Sequence, residues 1–449
     1  MGWREGWPIT GNINVLFYLA IILAAASLGP LALYIFRRGH DPLNPLILIG
    51  LVSFGIAAEP MLKYGNKVAG LYATRNSLEQ FSFIGIISLL GLYLGWALKR
   101  HRDARSNNVQ KASQIIWSPG ALLGMGYIFA IVGMVGWAVH LHNMRSTGYV
   151  TDLYFLMVPS AVLVIQAVLL DKTRLLEALP ALAMAVTPDT YHFLTYGGRG
   201  SAMRLAVIPL VYFLFRGKRP KKVFVLGVLL FFGATMHLLA QSRTVLRRGQ
   251  ASSRIGALVV AAEQAFKSGG VGGSLPGRTF VAGSNMIQIA EDFNKFDYGR
   301  FVWNMGITFL PHEWFPNKYD YGTFWYRNGF MRTEMLLGRK TPGGNAQSGF
   351  AYAFIEFWWF SPLFWLALGW WLAHLYGNAR SPQRLDCHGY LIIMYIATLY
   401  LVAQDLPTFG FQVLFCLVPL FIAYHLCGQR IAQGKGRPGP TAPAQAVGV

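Results

Sequence analysis

Apolar runs of near-bilayer length recur from one end of this chain to the other, and lipid is the solvent they imply. Read in order, they give spans at about 13–36, 44–62, 80–98, 118–140, 153–170, 175–195, 201–215, 222–240, 350–376, 388–405 and 408–427. Several approach the roughly 20 residues needed to cross about 30 Å of hydrocarbon. Only 13% of the 449 residues are charged and 54% are hydrophobic, whereas a soluble domain carries about 25% charged residues. The expected fold is an all-α polytopic membrane protein of about eleven transmembrane helices with one large polar loop. The first run, Ile13 to Phe36, has no basic stretch ahead of it and Arg37 and Arg38 behind it. It reads as a retained anchor whose N-terminus faces outward, not as a cleaved signal peptide.

Charge sets the expected orientation. With that alternation, 19 Lys and Arg fall in short inward segments against 7 in short outward ones. The bias follows the positive-inside rule, which does not count long loops, and it turns the large loop away from the cytoplasm. The expected organisation is residues 1–240 with eight helices, a loop at 241–349, three helices within 350–427 and a disordered inward tail at 428–449. The net charge of +20 is dispersed among membrane loops, so no nucleic-acid partner is expected. The three cysteines, Cys387, Cys416 and Cys427, all lie outside the loop, which leaves it no disulfide staple and no thiolate zinc site. No internal repeat is evident.

The polar stretch Gln241 to Phe350 carries thirteen Lys and Arg against seven Asp and Glu, a surplus suited to an anionic partner. Aromatic residues crowd its middle, among them Trp303, Trp314 and Trp325. Cationic donors beside aromatic faces can grip a diphosphate that carries sugars. Ser252 to Lys267 places Ile255, Leu258, Val259, Ala262 and Phe266 on one stripe and predicts an amphipathic helix ended by Gly269-Gly270. Gly269 to Gly277 reads as a linker into Arg278, and a second short helix is expected over Asn285–Phe293.

Two expected crossings are abnormal. Pro180 and Pro188 interrupt 175–195, and 201–215 covers only about 22 Å at about 1.5 Å per residue. The turn Tyr196-Gly-Gly-Arg-Gly-Ser201 between them is therefore expected below the outer surface, where irregular backbone must face protein or a wet cavity. An arginine at that depth is a functional candidate by default. Its bland alternative is snorkelling to headgroups.

Three stretches occur in a telling order. Gly197-Gly198-Arg199-Gly200-Ser201 precedes a crossing. Phe309-Leu310-Pro311-His312-Glu313-Trp314-Phe315-Pro316-Asn317-Lys318 lies late in the loop, and Gly349-Phe350-Ala351-Tyr352-Ala353-Phe354-Ile355-Glu356-Phe357 opens the next crossing. In this order, over roughly residues 180–375, the chain resembles the O-antigen polymerases, or oligosaccharide repeat unit polymerases. The resemblance implies a GT-C-like, multi-pass glycosyltransferase of the bacterial inner membrane with its active site facing the periplasm. Such enzymes move a growing glycan from undecaprenyl diphosphate to the terminal sugar of a lipid-linked repeat unit. It also implies a chain-length regulator protein as a further partner and no cofactor. Carried over, Arg199 matches the Gly-Arg-Gly position, Lys318 the basic residue after Phe315-Pro316, and Glu356 the acidic residue at the following helix start. His312 stands where arginine is expected, and histidine there can bind phosphate or act as a base.

Transfer from a lipid diphosphate needs cations on the departing oxygens, and the arginine fork suits them. Candidates are Arg199, Arg204, Arg243, Arg278 and Lys318, with Arg199, Glu356 and His312 as the catalytic set and Trp303, Trp314 and Trp325 for stacking on sugars. A base must take the acceptor proton, for which Glu313, Asp320 and Asp189 are also available. No Asp-X-Asp motif occurs, so no metal is expected. Other functions stay open: a glycan ligase with another acceptor, a lipid-linked glycan flippase or transporter, and a non-catalytic assembly scaffold. A transporter would place ionisable residues near mid-span, and here the polar mass gathers on one side.

Overall fold

The computed structural model describes residues 15–36, 44–69, 72–105, 115–142, 152–196, 199–216, 221, 227, 238, 242, 245, 249–250, 254–267, 278–308, 315–317, 322, 324–325, 334–338, 348–379 and 384–430. Helices dominate them. The first are α1 (Val15–Phe36), α2 (Pro45–Ser53), α3 (Glu59–Val68), α4 (Arg75–Arg105), α5 (Pro119–His142), α6 (Met157–Leu170), α7 (Leu175–Tyr196), α8 (Arg199–Leu205) and α9 (Val207–Arg216). Next come α10 (Arg254–Lys267), α11 (Arg278–Asp292) and α12 (Phe301–Thr308). The last are α13 (Gly349–Phe357), α14 (Ser361–Asn378), α15 (Leu385–Ala403), α16 (Leu406–Gln412) and α17 (Val418–Cys427). A 3-10 turn, Leu153–Leu156, leads into α6, and π-helical turns join α2 to α3 and α16 to α17. One short antiparallel pair, β1 (Ile115–Trp117) with β2 (Gly428–Arg430), ties the start of α5 to the end of α17.

Among the described residues, eight stretches are long and apolar enough to cross a membrane. They are Val15–Phe36, Pro45–Lys63, Arg75–Arg105, Pro119–His142, Leu153–Leu170, Gly349–Asn378, Leu385–Ala403 and Leu406–Cys427. An all-α polytopic membrane protein is what these helices make. The three other spans expected from the sequence fare differently. The span at 222–240 lies almost wholly outside the described residues. The expected break at 175–195 is absent, for α7 runs unbroken from Leu175 to Tyr196 with Pro180 and Pro188 inside it. Such prolines are tolerated where neighbouring hydroxyls satisfy the loosened backbone. Thr187 Oγ1 donates to the Ala183 carbonyl at 2.7 Å, beside the carbonyl that Pro188 leaves without an amide partner. The expected crossing at 201–215 starts earlier, at Arg199, and is divided at Ala206 into α8 and α9. Arg199 and Gly200 are thus helical residues, not turn residues.

The spine of the bundle is α4 packed lengthwise on α14. Lipid offers no hydrophobic drive between helices, so close contact depends on small residues at the seam. Gly91 and Gly95 stand one turn apart on α4, and a Cβ on Gly95 would collide with the Leu366 carbonyl. From the other side, a Cβ on Gly369 would collide with the Leu92 carbonyl. Past the seam, Trp96 meets Tyr376 with ring centroids 5.2 Å apart, and Lys99 and Arg102 lie over the Trp370 ring.

The expected helix is present as α10, but its buried face is Ala257 and Ala261, packed on Val245, while Val259 of the expected stripe is 54% exposed. The second loop helix is longer than Asn285–Phe293. α11 begins at Arg278, so Arg278 opens a helix instead of ending a linker. Its early residues fold because Phe280, Val281, Met286 and Ile287 enter the main core. Polar contacts dock the same helix on the start of α4. Asn285 Nδ2 donates to the Tyr72 carbonyl at 3.0 Å, and Gln80 Nε2 donates to Glu291 Oε2 at 2.5 Å. Partial burial pushes the Glu291 carboxyl above its usual range, with the Gln80 amide opposing.

The seam makes a direct prediction. Gly95→Leu forces α4 and α14 apart and should lower stability by about 1–3 kcal/mol, the range for an overpacked contact. Gly124→Leu, where nothing lies within 4 Å of the added Cβ, should be near neutral. Unfolding midpoints of the purified variants would check the contrast, and equal midpoints would sink the role given to the seam.

Candidate functional site

The last turn of α15 is where two of the three sequence motifs come together. Gly200 of α8 lies against the Tyr400 ring so closely that a Cβ would strike its hydroxyl. Gly349, the first residue of α13, lies against the Leu401 carbonyl with the same intolerance for a side chain. Stretches far apart in sequence thus abut consecutive residues of one helix.

On the α8 side, Arg204 is enclosed by protein. Its Nε donates to Asp189 Oδ1 at 2.8 Å, and its Nη1 donates to the Tyr400 hydroxyl at 2.9 Å. The rings of Tyr154, Phe155 and Tyr400 surround the guanidinium carbon at 5.6, 5.8 and 5.9 Å. Beyond the ion pair, Tyr191 and His192 of α7 continue an aromatic line to Trp137 and His140 of α5. On the other side the π-helical turn at Val413–Leu417 carries Cys416, whose thiol faces the Phe155 carbonyl at 3.6 Å.

On the α13 side the site is built from an acid and a strained main chain. Glu356 is 2% exposed, and its Oε2 accepts the Phe301 N–H at 3.1 Å. The turn before α12 presents that amide. Asn294, Tyr298 and Gly299 take left-handed φ values of 51°, 48° and 84°, and the Asp297 N–H donates to the Ile355 carbonyl at 3.1 Å. Tyr352 lies among Asp297, Glu356 and Asp405. α13 is bounded by two more left-handed non-glycine residues, Ser348 (φ 70°) and Trp358 (φ 50°). Backbone of this kind persists only where the surroundings over-determine it, and it clusters at functional sites. At one end Ser348 Oγ accepts the Phe350 N–H and caps the helix.

The sequence candidates distribute as follows. Arg204 reaches the last turn of α15 at Tyr400, whereas Glu356 lies two turns along α13 from Gly349, where it is tied to the Phe301 amide. The backbones of Arg199 and Arg278 open α8 and α11, while their side chains lie outside what is described. Arg243, His312, Trp314 and Lys318 also lie outside the described residues. Trp303 is 59% exposed on α12. Trp325 is 2% exposed, and its Nε1 donates to the Lys295 carbonyl at 2.6 Å, so that ring packs inward. Among the described residues, no group of three or more His, Cys, Asp or Glu is placed to hold a metal. Sequence reasoning missed Asp297, Tyr352 and Tyr400, for which no local signal exists. It named Asp189 and Arg204 but not their pairing, although opposite charges on successive apolar helices are the signal for one. No family model, curated protein or solved structure matches the chain.

Glu356 gives a stability test. Glu356→Leu leaves the Phe301 amide buried without an acceptor and should lower stability by about 1–3 kcal/mol. Glu356→Gln keeps an oxygen in place and should retain most of it. Thermal unfolding separates the two, and identical losses would count against the hydrogen bond as a tether.

Proposed function

We propose that the chain is a polysaccharide polymerase that transfers a growing glycan from undecaprenyl diphosphate to the terminal sugar of a lipid-linked repeat unit. One observation carries the reading. Gly200 and Gly349, each inside a motif that resembles the polymerase family, meet the same turn of α15 at Tyr400 and Leu401. A shared site is what one reaction needs from motifs so far apart.

In this reaction an acceptor hydroxyl attacks the anomeric carbon of the donor glycan. The new C–O bond forms as the bond to the diphosphate breaks, and undecaprenyl diphosphate departs with the bonding electrons. Its oxygens gain charge, which Arg199 and the loop cations Arg243, Arg278 and Lys318 stabilise. The acceptor proton passes to a base. Glu356 is the carboxylate assigned here, with His312 assisting at the diphosphate, and Trp303, 59% exposed on α12, is the ring assigned to a sugar face. The reaction runs on the outer face of a bacterial inner membrane.

The test is elongation of purified lipid-linked repeat units, read as a ladder of products. Arg199→Ala should reduce the ladder by at least about 100-fold, the scale of losing one transition-state cation. Glu356→Gln should fold and yet fail to elongate, and chelation of divalent cations should leave the ladder intact. A normal ladder from Arg199→Ala would overturn the assignment of Arg199. Transfer to a lipid core with no ladder would mean a ligase, and movement of intact lipid-linked glycan across vesicles with no new bond would mean a flippase.

A further inference from the structure

Arg204 is surrounded in a way that suits a fixed strut better than a ligand for phosphate. Its side chain is 9% exposed and that of Asp189 is 8% exposed. Both Nε and Nη2 point at Asp189 Oδ1, at 2.8 and 2.6 Å. Nη1 is taken by Tyr400, and Nη2 also reaches Ser201 Oγ at 3.4 Å. Three aromatic rings close over the remaining faces. An incoming diphosphate would meet a cation already neutralised, with its hydrogens turned into the protein. The three partners sit on three elements, namely α7 for Asp189, α8 for Ser201 and α15 for Tyr400. Gly200, which lacks a side chain, lets the Tyr400 hydroxyl come close enough to accept.

We propose that Arg204 is a positioning residue. With Asp189 and Tyr400 it clamps α8 between α7 and α15 and so fixes the backbone from Arg199 to Ser201. That this backbone carries the diphosphate site rests on the proposed function; the clamp itself does not. Asp189 in this role is the anion that keeps Arg204 in place and is not the base for the acceptor proton.

The experiment uses the full-length protein in lipid nanodiscs and reads amide hydrogen exchange over residues 199–205. Asp189→Asn and Arg204→Gln should each raise exchange there by about tenfold or more, while the α4–α14 seam stays unchanged. The double variant should be no worse than either single one, because both remove the same pair. The charge exchange Asp189→Arg with Arg204→Asp should bring protection part of the way back. Tyr400→Phe, the mildest change, should raise exchange by a smaller factor and decides the matter should the charged variants fail to fold. Unchanged exchange in Asp189→Asn, or in Tyr400→Phe where the charged variants do not fold, would overturn the clamp.

Elongation adds a readout that a merely structural pair would not move in the same way. Asp189→Asn should raise KM for the lipid-linked donor, since the backbone at Arg199 shifts. Were Arg204 itself the phosphate ligand, releasing it from Asp189 would lower that KM and tighten binding of farnesyl diphosphate in a calorimetric titration, and the proposal would fall. A wild-type protein that shows the exchange pattern and never elongates leaves the clamp standing and removes the polymerase reading. Elongation by wild type with unchanged exchange in the variants does the reverse.

Discussion

A guanidinium enclosed by membrane helices has no water to turn to, so its partner decides how the helices around it must meet. Here the pair of Arg204 with Asp189 makes that decision for α7, α8 and α15 together. The continuity of α7 matters to this. Asp189 directly follows Pro188, and a helix that broke at the proline would not deliver the carboxylate on a rigid face. The Thr187 hydroxyl bond to Ala183 supports the backbone just where that rigidity is needed. Gly200 then allows the Tyr400 hydroxyl to close the third side. Helix continuity, a missing side chain and an ion pair form one constraint.

The opposite flank of α15 is held by other means. Gly349 admits close main-chain contact at Leu401, and the turn before α12 reaches α13 through the Asp297 and Phe301 amides. Left-handed residues at Asn294, Tyr298, Ser348 and Trp358 would each be unfavourable in an isolated chain. They persist because each lies beside a contact that needs that course of the chain. Ser348 caps α13, and Tyr298 precedes the glycine that aims Phe301 at Glu356. A helix of nine residues fixed at both ends in this way holds its one carboxylate still.

Among the described residues, eight helices long and apolar enough to cross a membrane were legible, because a long apolar run has few solutions in lipid whatever its neighbours are. α10 was legible as a helix, although the face it buries runs through Ala257 and Ala261 and not through Val259 of the expected stripe. Pro180 and Pro188 misled because the rule that proline breaks a helix is calibrated in water, and here both lie inside an unbroken helix. The early start of α11 was hidden because Gly269 to Gly277 masked where the helical stripe began. Of the partners of Arg204, Asp189 carried a signal in its opposite charge, and Tyr400 carried none. Arginine and aspartate are visible in sequence, but Tyr400 becomes a partner only when α15 folds back beside α8. The tryptophans make the same point. Trp303 and Trp325 both sit in aromatic stretches of the sequence, yet one is 59% exposed and the other is buried and bonded to the Lys295 carbonyl.

The two flanks of α15 also differ in charge, and under the proposed reaction this sets the direction of the substrates. With Arg204 neutralised by Asp189, attraction for a diphosphate at the α8 flank falls to Arg199 and the cations of the 241–349 segment. The α13 flank carries the carboxyl groups of Asp297, Glu356 and Asp405 within electrostatic reach of Tyr352, groups that can accept from sugar hydroxyls. The proposed reaction accordingly holds the lipid diphosphate at α8. Its glycan then points toward the carboxylates, where the acceptor hydroxyl must lose its proton. The proposed reaction thus assigns the leaving group to α8 and the base to α13, two different elements.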